Sequence, residues 1–365
     1  MKIAIGVPSH LSQERNGFPT AFNTTKQLLK DHELEIYSPE ENLSATTRKG
    51  GTFHDRYENT LSLSKEFAEK MRERDYDAII TYTGMGLFLE QEHIYHTSNI
   101  PYKEVVKLVE GEYPEEFGHL VEDMTYIAEH ERENYTNAHG IICYSQKIKQ
   151  AIQDNYTVNG SEIAYIPRPI TQFPTKEKPH TDDGMKMILM PCELRVMKGI
   201  RYALETMKIL KEKLPKAVLI VCGSINEMEK ELVRTYLEDA AGKANIVLAG
   251  YLPKENLYEY MNTADCAFMP SLFDECPIAL NECIGHNLPV VTNEYAGYDR
   301  EVIDTFGICA RYKDVKDYAG SITRLLTDEA LHDEKREGGK RLMDEFTIDY
   351  SKSLMNDALR EFTKA

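Results

Sequence analysis

No stretch of this 365-residue sequence holds the ~18 consecutive apolar residues that a membrane-spanning helix needs. The N-terminal MKIAIGVPSH carries one lysine and an apolar run that stops at a turn. That is too short for a signal peptide and reads as a first buried strand. Positive charge is also scarce, with 43 Lys and Arg against 60 Asp and Glu, a net charge of −17. Affinity for nucleic acid rests on cations that neutralise phosphates, so a nucleic-acid partner is not expected. Anionic membrane surfaces should repel the chain for the same reason. Lys65, Lys70, Arg72 and Arg74 in KEFAEKMRERDYD alternate with acids at helical spacing and read as a solvated helix face. The seven cysteines are an odd number without paired metal-ligand spacing, and several sit in apolar runs, as Cys222 does in AVLIVCGS. They read as small core residues of a reducing compartment, which makes the expected location cytoplasmic.

What the sequence does have is strand–helix alternation, twice over. Its length exceeds what one core ordinarily supports, so two α/β domains are expected. Apolar runs predict strands at 2–7, 33–37, 78–82, 105–109, 140–144 and 162–166, with helices at 20–30, 62–75, 117–137 and 146–155. The polar, proline-bearing stretch at 169–184, in RPITQFPTKEKPHTDDG, reads as a linker. Strands follow at 185–191, 217–223, 245–248, 266–269 and 289–292, and helices at 200–213, 257–263, 278–285, 315–327, 330–343 and 350–364. The expected organisation is an N-terminal domain over 1–168, the linker 169–184, and a second domain over 185–345. A C-terminal helical segment, 346–365, is free to pack back on the first domain. Alternation of this kind predicts Rossmann-like domains with doubly wound parallel sheets. Ligands bind at the carboxyl ends of such strands, so two sheets are expected to face a central cleft.

Three segments carry the candidate chemistry. In MPSLFDECPIALNECIGHNLPVVTNEYAG (269–297), a buried strand ends at Pro270 and a loop bears Asp274 and Glu275. A helix starts near Pro277 and Ile278 and carries Glu282. Unpaired N–H groups at a helix start suit a diphosphate, and carboxylates can hold sugar and ribose hydroxyls. The same residues also read as a helix cap at Asp274 and a surface charge at Glu282. In PCELRVMKGI (191–200), Lys198 precedes Gly199 at another strand-to-helix loop, placed to neutralise phosphate charge with help from Arg195; a solvated loop is the plainer alternative. In SHLSQERNGFPTA (9–21), Gly17 lets backbone approach a ligand closely, though a glycine there also serves as a simple turn.

With these segments in hand, the chain resembles the family 4 retaining glycosyltransferases, also called glycosyltransferase group 1, whose fold is GT-B. NAHGIICYSQ and IAYIPRPI resemble the family's last N-terminal strands, VMKG its lysine–glycine loop, and VLIVCGS the strand after it. IVLAGYLPKENLYEYMNTADCAFMPS follows the family pattern almost position by position. SLFDECPIALNE resembles its acidic motif, two carboxylates separated by seven residues, with Asp274 and Glu282 in the two places. Departures are visible. Asp274 replaces a glutamate and Glu275 follows it; Pro277 stands where glycine is frequent; Glu193 replaces an arginine five residues before Lys198; and Glu110 stands where many members have a histidine after the fourth strand. The first loop's glycine pair is reduced to Asn16–Gly17.

The resemblance implies a retaining hexosyltransferase that uses a UDP- or GDP-sugar donor, needs no metal or other cofactor, and acts on a hydroxyl of a small-molecule, glycan or protein acceptor. Its implied catalytic residues are Lys198, Asp274 and Arg195. Gly17, Gly199, Glu275, Cys276, Pro277, Ile278 and Glu282 would bind the donor, and Glu110 would face the acceptor. Asp182–Asp183 is the nearest approach to the acidic signature of the other main glycosyltransferase fold, and it falls in the linker. Two other readings remain: a GT-B sugar-nucleotide epimerase or hydrolase, and a non-catalytic sugar-nucleotide-binding partner subunit suggested by Glu193 and Pro277.

Overall fold

The structure, a computed structural model, describes residues 1–8, 17–38, 53–97, 100–158, 162–174, 184–274 and 277–363. Most of the linker stretch, 175–183, thus lies outside the described residues. The chain divides into two compact units, Met1–Pro169 with Ile348–Ala365, and Ile170–Thr347.

In the first unit, the described strands are β1 (Lys2–Gly6), β2 (Glu33–Tyr37), β3 (Ala78–Thr81), β4 (Ile94–Thr97), β5 (Gly140–Cys143) and β6 (Glu162–Tyr165). They form one sheet in the order β2-β1-β3-β4-β5-β6, every pair parallel. Parallel strands need crossovers, supplied here by α1 (Gly17–Leu28), α2 (Phe53–Met71), α3 (Tyr102–Leu108), α4 (Gly118–His130), α5 (Arg132–Thr136) and α6 (Gln146–Asn155). The C-terminal helix Ile348–Phe362 belongs to this unit: Met355, Leu359 and Phe362 are buried in one cluster with Ile3, Ile5 and Phe22. Each such side chain contributes roughly 1.5–3 kcal/mol by leaving water. Gly140 lets the helix come this close, since a Cβ there would sit 2.4 Å from the Phe362 ring.

The fourth strand is not where the apolar pattern predicts it. Residues 105–109 belong to a helix and its end, α3, and the strand is Ile94–Thr97. Val105 and Leu108 are the buried positions of α3, a spacing of three that serves a helix as well as a run of valines serves a strand. A distant residue favours the helix. The Glu131 carboxylate accepts the Lys103 N–H at 3.1 Å and the Tyr156 hydroxyl at 2.7 Å, capping the first turn of α3 from 28 residues away.

Burial pushes the Glu131 carboxyl up to about 7, against the pull of Tyr156 and of the Tyr102 and Lys103 N–H groups. A carboxyl whose folded pKa is raised favours the fold below its unfolded value and loses that contribution as pH climbs toward 7. Glu131→Gln keeps an acceptor for the cap without a titrating charge. In urea unfolding, wild type and variant should therefore match near pH 5, and the variant should be more stable at pH 8 by on the order of 2 kcal/mol. A stability difference that does not change with pH would show that Glu131 is not buried in this way.

In the second unit, the described strands β7 (Lys186–Met190), β8 (Ala217–Val221), β9 (Ile246–Leu248), β10 (Cys266–Phe268), β11 (Val290–Thr292) and β12 (Gly307–Cys309) are again all parallel, ordered β12-β11-β10-β7-β8-β9. Their crossovers are α7 (Ile200–Lys213), α8 (Lys230–Ala240), α9 (Lys254–Thr263), α10 (Ile278–Gly285) and α11 (Arg300–Phe306), and α12 (Val315–Thr327) and α13 (Glu329–Glu345) follow the last strand. Strand β7 is central, and its core partners Ile188 and Met190 lie in one cluster with Leu204, Met207, Leu219, Phe268 and Tyr318. The chain leaves β7 toward β8 and leaves β10 toward β11, in opposite directions. The neighbouring ends of β7 and β10 are therefore the topological switch point, where doubly wound sheets open a crevice for ligands.

Candidate functional site

Both candidate loops of the second unit leave the sheet at that switch point. The first follows β7. Its Leu194 N–H donates to Ser224 O at 2.9 Å, and Val196 N–H donates to the Glu229 carboxylate at 2.5 Å. Glu229 is buried, so it fixes the loop from within. One turn of 3₁₀ helix, Val196–Lys198, then runs into Gly199 at φ 71°, which opens α7. Only glycine suits this position: the φ is left-handed, and a Cβ would lie 2.0 Å from Pro270 O. The close approach brings the second loop, which follows β10, against the first. Leu272 N–H donates to Met197 O at 2.9 Å.

The second loop is tied on its other side to the loop after β11. Asn293, fully buried, donates from Nδ2 to Ser271 O at 2.9 Å and accepts the Tyr295 N–H on Oδ1 at 2.9 Å. Asp274 N–H donates to Tyr295 O at 2.7 Å, and Asp274 pairs with Ala296 as an isolated parallel bridge. Asp274 is thus held through its backbone by the loop after β11. Its carboxylate forms an ion pair with the Lys198 ammonium. The two residues lie 76 positions apart in sequence, with side chains only 27% and 11% exposed. Burial lowers the proton affinity of Lys198, but Asp274 outweighs it; Cys192 adds to the pull, Arg195 opposes it, and the ammonium is held above its ordinary value. Lys198 therefore keeps its proton at neutral pH, and an ion pair at a crevice is polar chemistry set out for a ligand.

Arg195 is less free than its sequence position suggests. Its guanidinium lies 3.8 Å from Glu193 and 4.0 Å from Glu229 and donates to Met197 Sδ at 3.2 Å. Glu193 also accepts Asn226 Nδ2 at 3.1 Å. The acidic replacement at 193 is therefore part of a local network that engages Arg195, whose charge still reaches Lys198.

Helix α10 begins after Pro277, which has φ −61° and no N–H to offer. The first bonds onto its carbonyl come from Leu280 and Asn281, so the N–H groups of Ile278 and Ala279 precede them. Glu282, one turn in, is buried, and its Oε1 accepts Lys254 Nζ and Tyr258 Oη, each at 3.1 Å. It is therefore not the plain surface charge that a lone glutamate on a helix suggests. Lys254 and Tyr258 were not singled out from sequence; their i,i+4 spacing on α9 was the available signal.

The remaining candidates belong to the first unit or lie outside the described residues. Glu275 and Cys276 lie outside them. Gly17 is the first described residue of α1. Glu110 follows a helix, not a strand. It is exposed on the turn after α3, because the strand expected before it is Ile94–Thr97. Among the described residues no group of three or more His, Cys, Asp or Glu gathers to hold a metal, and no helix is long and apolar enough to cross a membrane.

Comparison with known proteins follows the same segment of chain. Residues 172–342 match the family described as glycosyl transferases group 1. Over 151 residues, 39% of this chain, the sequence is 30% identical to the amylovoran biosynthesis glycosyltransferase AmsK of Erwinia amylovora, covering 36% of that protein. Over 214 residues it is 22% identical to the UDP-Gal:alpha-D-GlcNAc-diphosphoundecaprenol alpha-1,3-galactosyltransferase of Escherichia coli, covering 57% of this chain and 54% of that one. These matches span about one third to one half of the curated relatives' lengths. Among solved structures, sucrose-phosphate synthase of Thermosynechococcus elongatus superposes with a TM-score of 0.76 at 15% identity, covering 99% of this chain and 98% of that one. WaaG, a glycosyltransferase involved in lipopolysaccharide biosynthesis, superposes with a TM-score of 0.67 at 15% identity, each chain fully covered. The fold is GT-B, with one Rossmann-like sheet in each unit.

Proposed function

We propose that this chain, whose residues 172–342 form a glycosyl transferases group 1 domain on a GT-B fold, is a retaining hexosyltransferase. It moves a sugar from a UDP- or GDP-sugar to a hydroxyl of its acceptor. The observation that carries the reading is the Lys198–Asp274 pair at the switch point of the second sheet, flanked by the start of α10 and by Glu282. In this reading Lys198 neutralises the charge that grows on the diphosphate as the glycosidic bond breaks, with Arg195 adding to the field. The early N–H groups of α10 receive phosphate oxygens, one fewer than a glycine at 277 would allow. Asp274 holds the donor sugar's hydroxyls and Glu282 the ribose.

Retention then needs no protein nucleophile. The departing phosphate takes the acceptor's proton on the face it leaves, and the protein supplies position and charge. The N-terminal domain read from the sequence, 1–168, is assigned to the acceptor. The test is a panel of UDP- and GDP-hexoses incubated with the protein and simple hydroxyl acceptors. The expected result is free UDP or GDP from one donor class, and a product whose anomeric configuration by NMR matches the donor's. Inversion would sink the retaining mechanism. A protein that binds nucleotide without releasing product would instead support a non-catalytic subunit.

A further inference from the structure

Glu282 is held from one side only. Both of its hydrogen bonds, from Lys254 Nζ and Tyr258 Oη at 3.1 Å, fall on Oε1, and Oε2 takes none from the described residues. The two donors sit at i and i+4 on α9, one turn apart, while Glu282 sits on α10. Tyr258 is itself fixed. Its ring packs 4.8 Å from Phe173 and 4.8 Å from His286, and those two rings stack at 4.6 Å, nearly parallel. His286 is in turn held by Asn262, whose Oδ1 accepts the Nδ1–H at 3.2 Å, and burial lowers the proton affinity of the imidazole. Phe173 is pinned by its N–H to Gly285 O at 2.9 Å. Burial, with Glu282 adding to it, pushes the Tyr258 hydroxyl above its ordinary value, so it remains a donor. This is more support than a structural carboxylate inside a short helix needs. An aromatic cluster locks a tyrosine, and the tyrosine and a lysine together lock one carboxylate oxygen.

We infer that Lys254 and Tyr258 are positioning residues that clamp Oε1 of Glu282 and so present Oε2 to the ribose diol of the nucleotide. This rests on the assignment of Glu282 to the ribose made above. A clamped carboxylate accepts from a diol without first giving up its own freedom. Neither residue touches the nucleotide, so the clamp should matter only to ligands that carry ribose hydroxyls. That sets it apart from a merely structural role.

The measurement is the affinity of the full chain, by calorimetry, for UDP and GDP and for their 2′,3′-dideoxy counterparts. In the wild type the better ribonucleotide should bind about tenfold or more tightly than its dideoxy form, as expected of charge-assisted bonds to hydroxyls. Tyr258→Phe keeps the ring in its cluster and removes only the donor. Lys254→Met keeps the stem and removes the charge. In the double variant the ratio should fall below about threefold through loss of ribonucleotide affinity alone, with dideoxy affinity unchanged. Lys254→Arg should restore most of the ratio. A ratio that survives in the double variant but collapses in Glu282→Gln overturns the clamp and leaves the ribose assignment standing. A ratio that survives Glu282→Gln, or absence of any UDP or GDP binding, overturns the assignment itself. Equal losses for ribo and dideoxy ligands would mean that Lys254 contacts the nucleotide directly, which also ends the proposal.

Discussion

Lys198→Ala should lower kcat for sugar transfer by 10²–10³-fold, the loss expected when a preorganised positive group is removed from a developing negative charge, on the order of 3–4 kcal/mol. Two features make the effect larger than that of a surface lysine. The ammonium is three-quarters buried, where charge is poorly screened, and it is carried on a turn that Gly199, Glu229 and Met197 hold in place. A competing explanation is loss of folding, because Lys198→Ala leaves the Asp274 carboxylate without its partner in a largely buried site. Lys198→Met combined with Asp274→Asn separates the two. It removes both charges and leaves no unpaired ion, so its unfolding midpoint should return toward wild type while transfer stays lost. Near-wild-type turnover by either variant would remove Lys198 from the reaction. A stable single variant with normal kcat and a raised KM would place it in ground-state binding alone.

The parts of this picture that were legible in the sequence share one property: their cause is local. The helices at 146–155, 200–213, 278–285 and 315–327 have the bounds that their periodicity and flanking turns predict. Strand–helix alternation alone predicts the two parallel sheets. What was not legible depended on distant partners. The apolar run 105–109 fits a strand or a helix, and Glu131, 28 residues from Lys103, favours the helix. The true fourth strand, IYHT, carries a tyrosine and a histidine on a segment buried on both faces, so it lacks the uniform apolar look of such strands. Strand β12, Gly307–Cys309, follows α11 without an intervening turn to mark it. The site divides along the same line. Lys198, Gly199 and Asp274 stand at strand-to-helix loops that sequence can locate. That Lys198 and Asp274 pair, that Glu193 and Glu229 engage Arg195, and that Lys254 and Tyr258 serve Glu282 are facts of packing between segments. No spacing rule brings those segments together.

Asp274→Asn should cut kcat/KM by roughly 30–100-fold, and it should do so with a signature that Glu282→Gln lacks. An amide of the same size keeps the backbone bridge to Ala296 but loses charge-assisted bonds to sugar hydroxyls, each worth about 1.5–3 kcal/mol. The sugar donor is then affected and the bare nucleoside diphosphate much less. Glu282→Gln should weaken both alike, since the ribose is common to them. Glu275, beside Asp274 in the chain, provides the control on register: Glu275→Gln should leave kcat/KM nearly unchanged. The second part of the signature is pH. Lys198 keeps its proton above the ordinary lysine value because Asp274 outweighs burial. In Asp274→Asn the burial remains and the Asp274 charge does not, so the lysine pKa must fall. A reaction that needs the ammonium declines as that proton leaves, so the alkaline limb of kcat/KM should move to lower pH in Asp274→Asn and stay in place in Glu282→Gln. If the limb does not move, Lys198 and Asp274 are not coupled in the working enzyme. If Glu275→Gln is the crippling variant while Asp274→Asn is silent, the sugar-binding carboxylate lies one residue further along the chain.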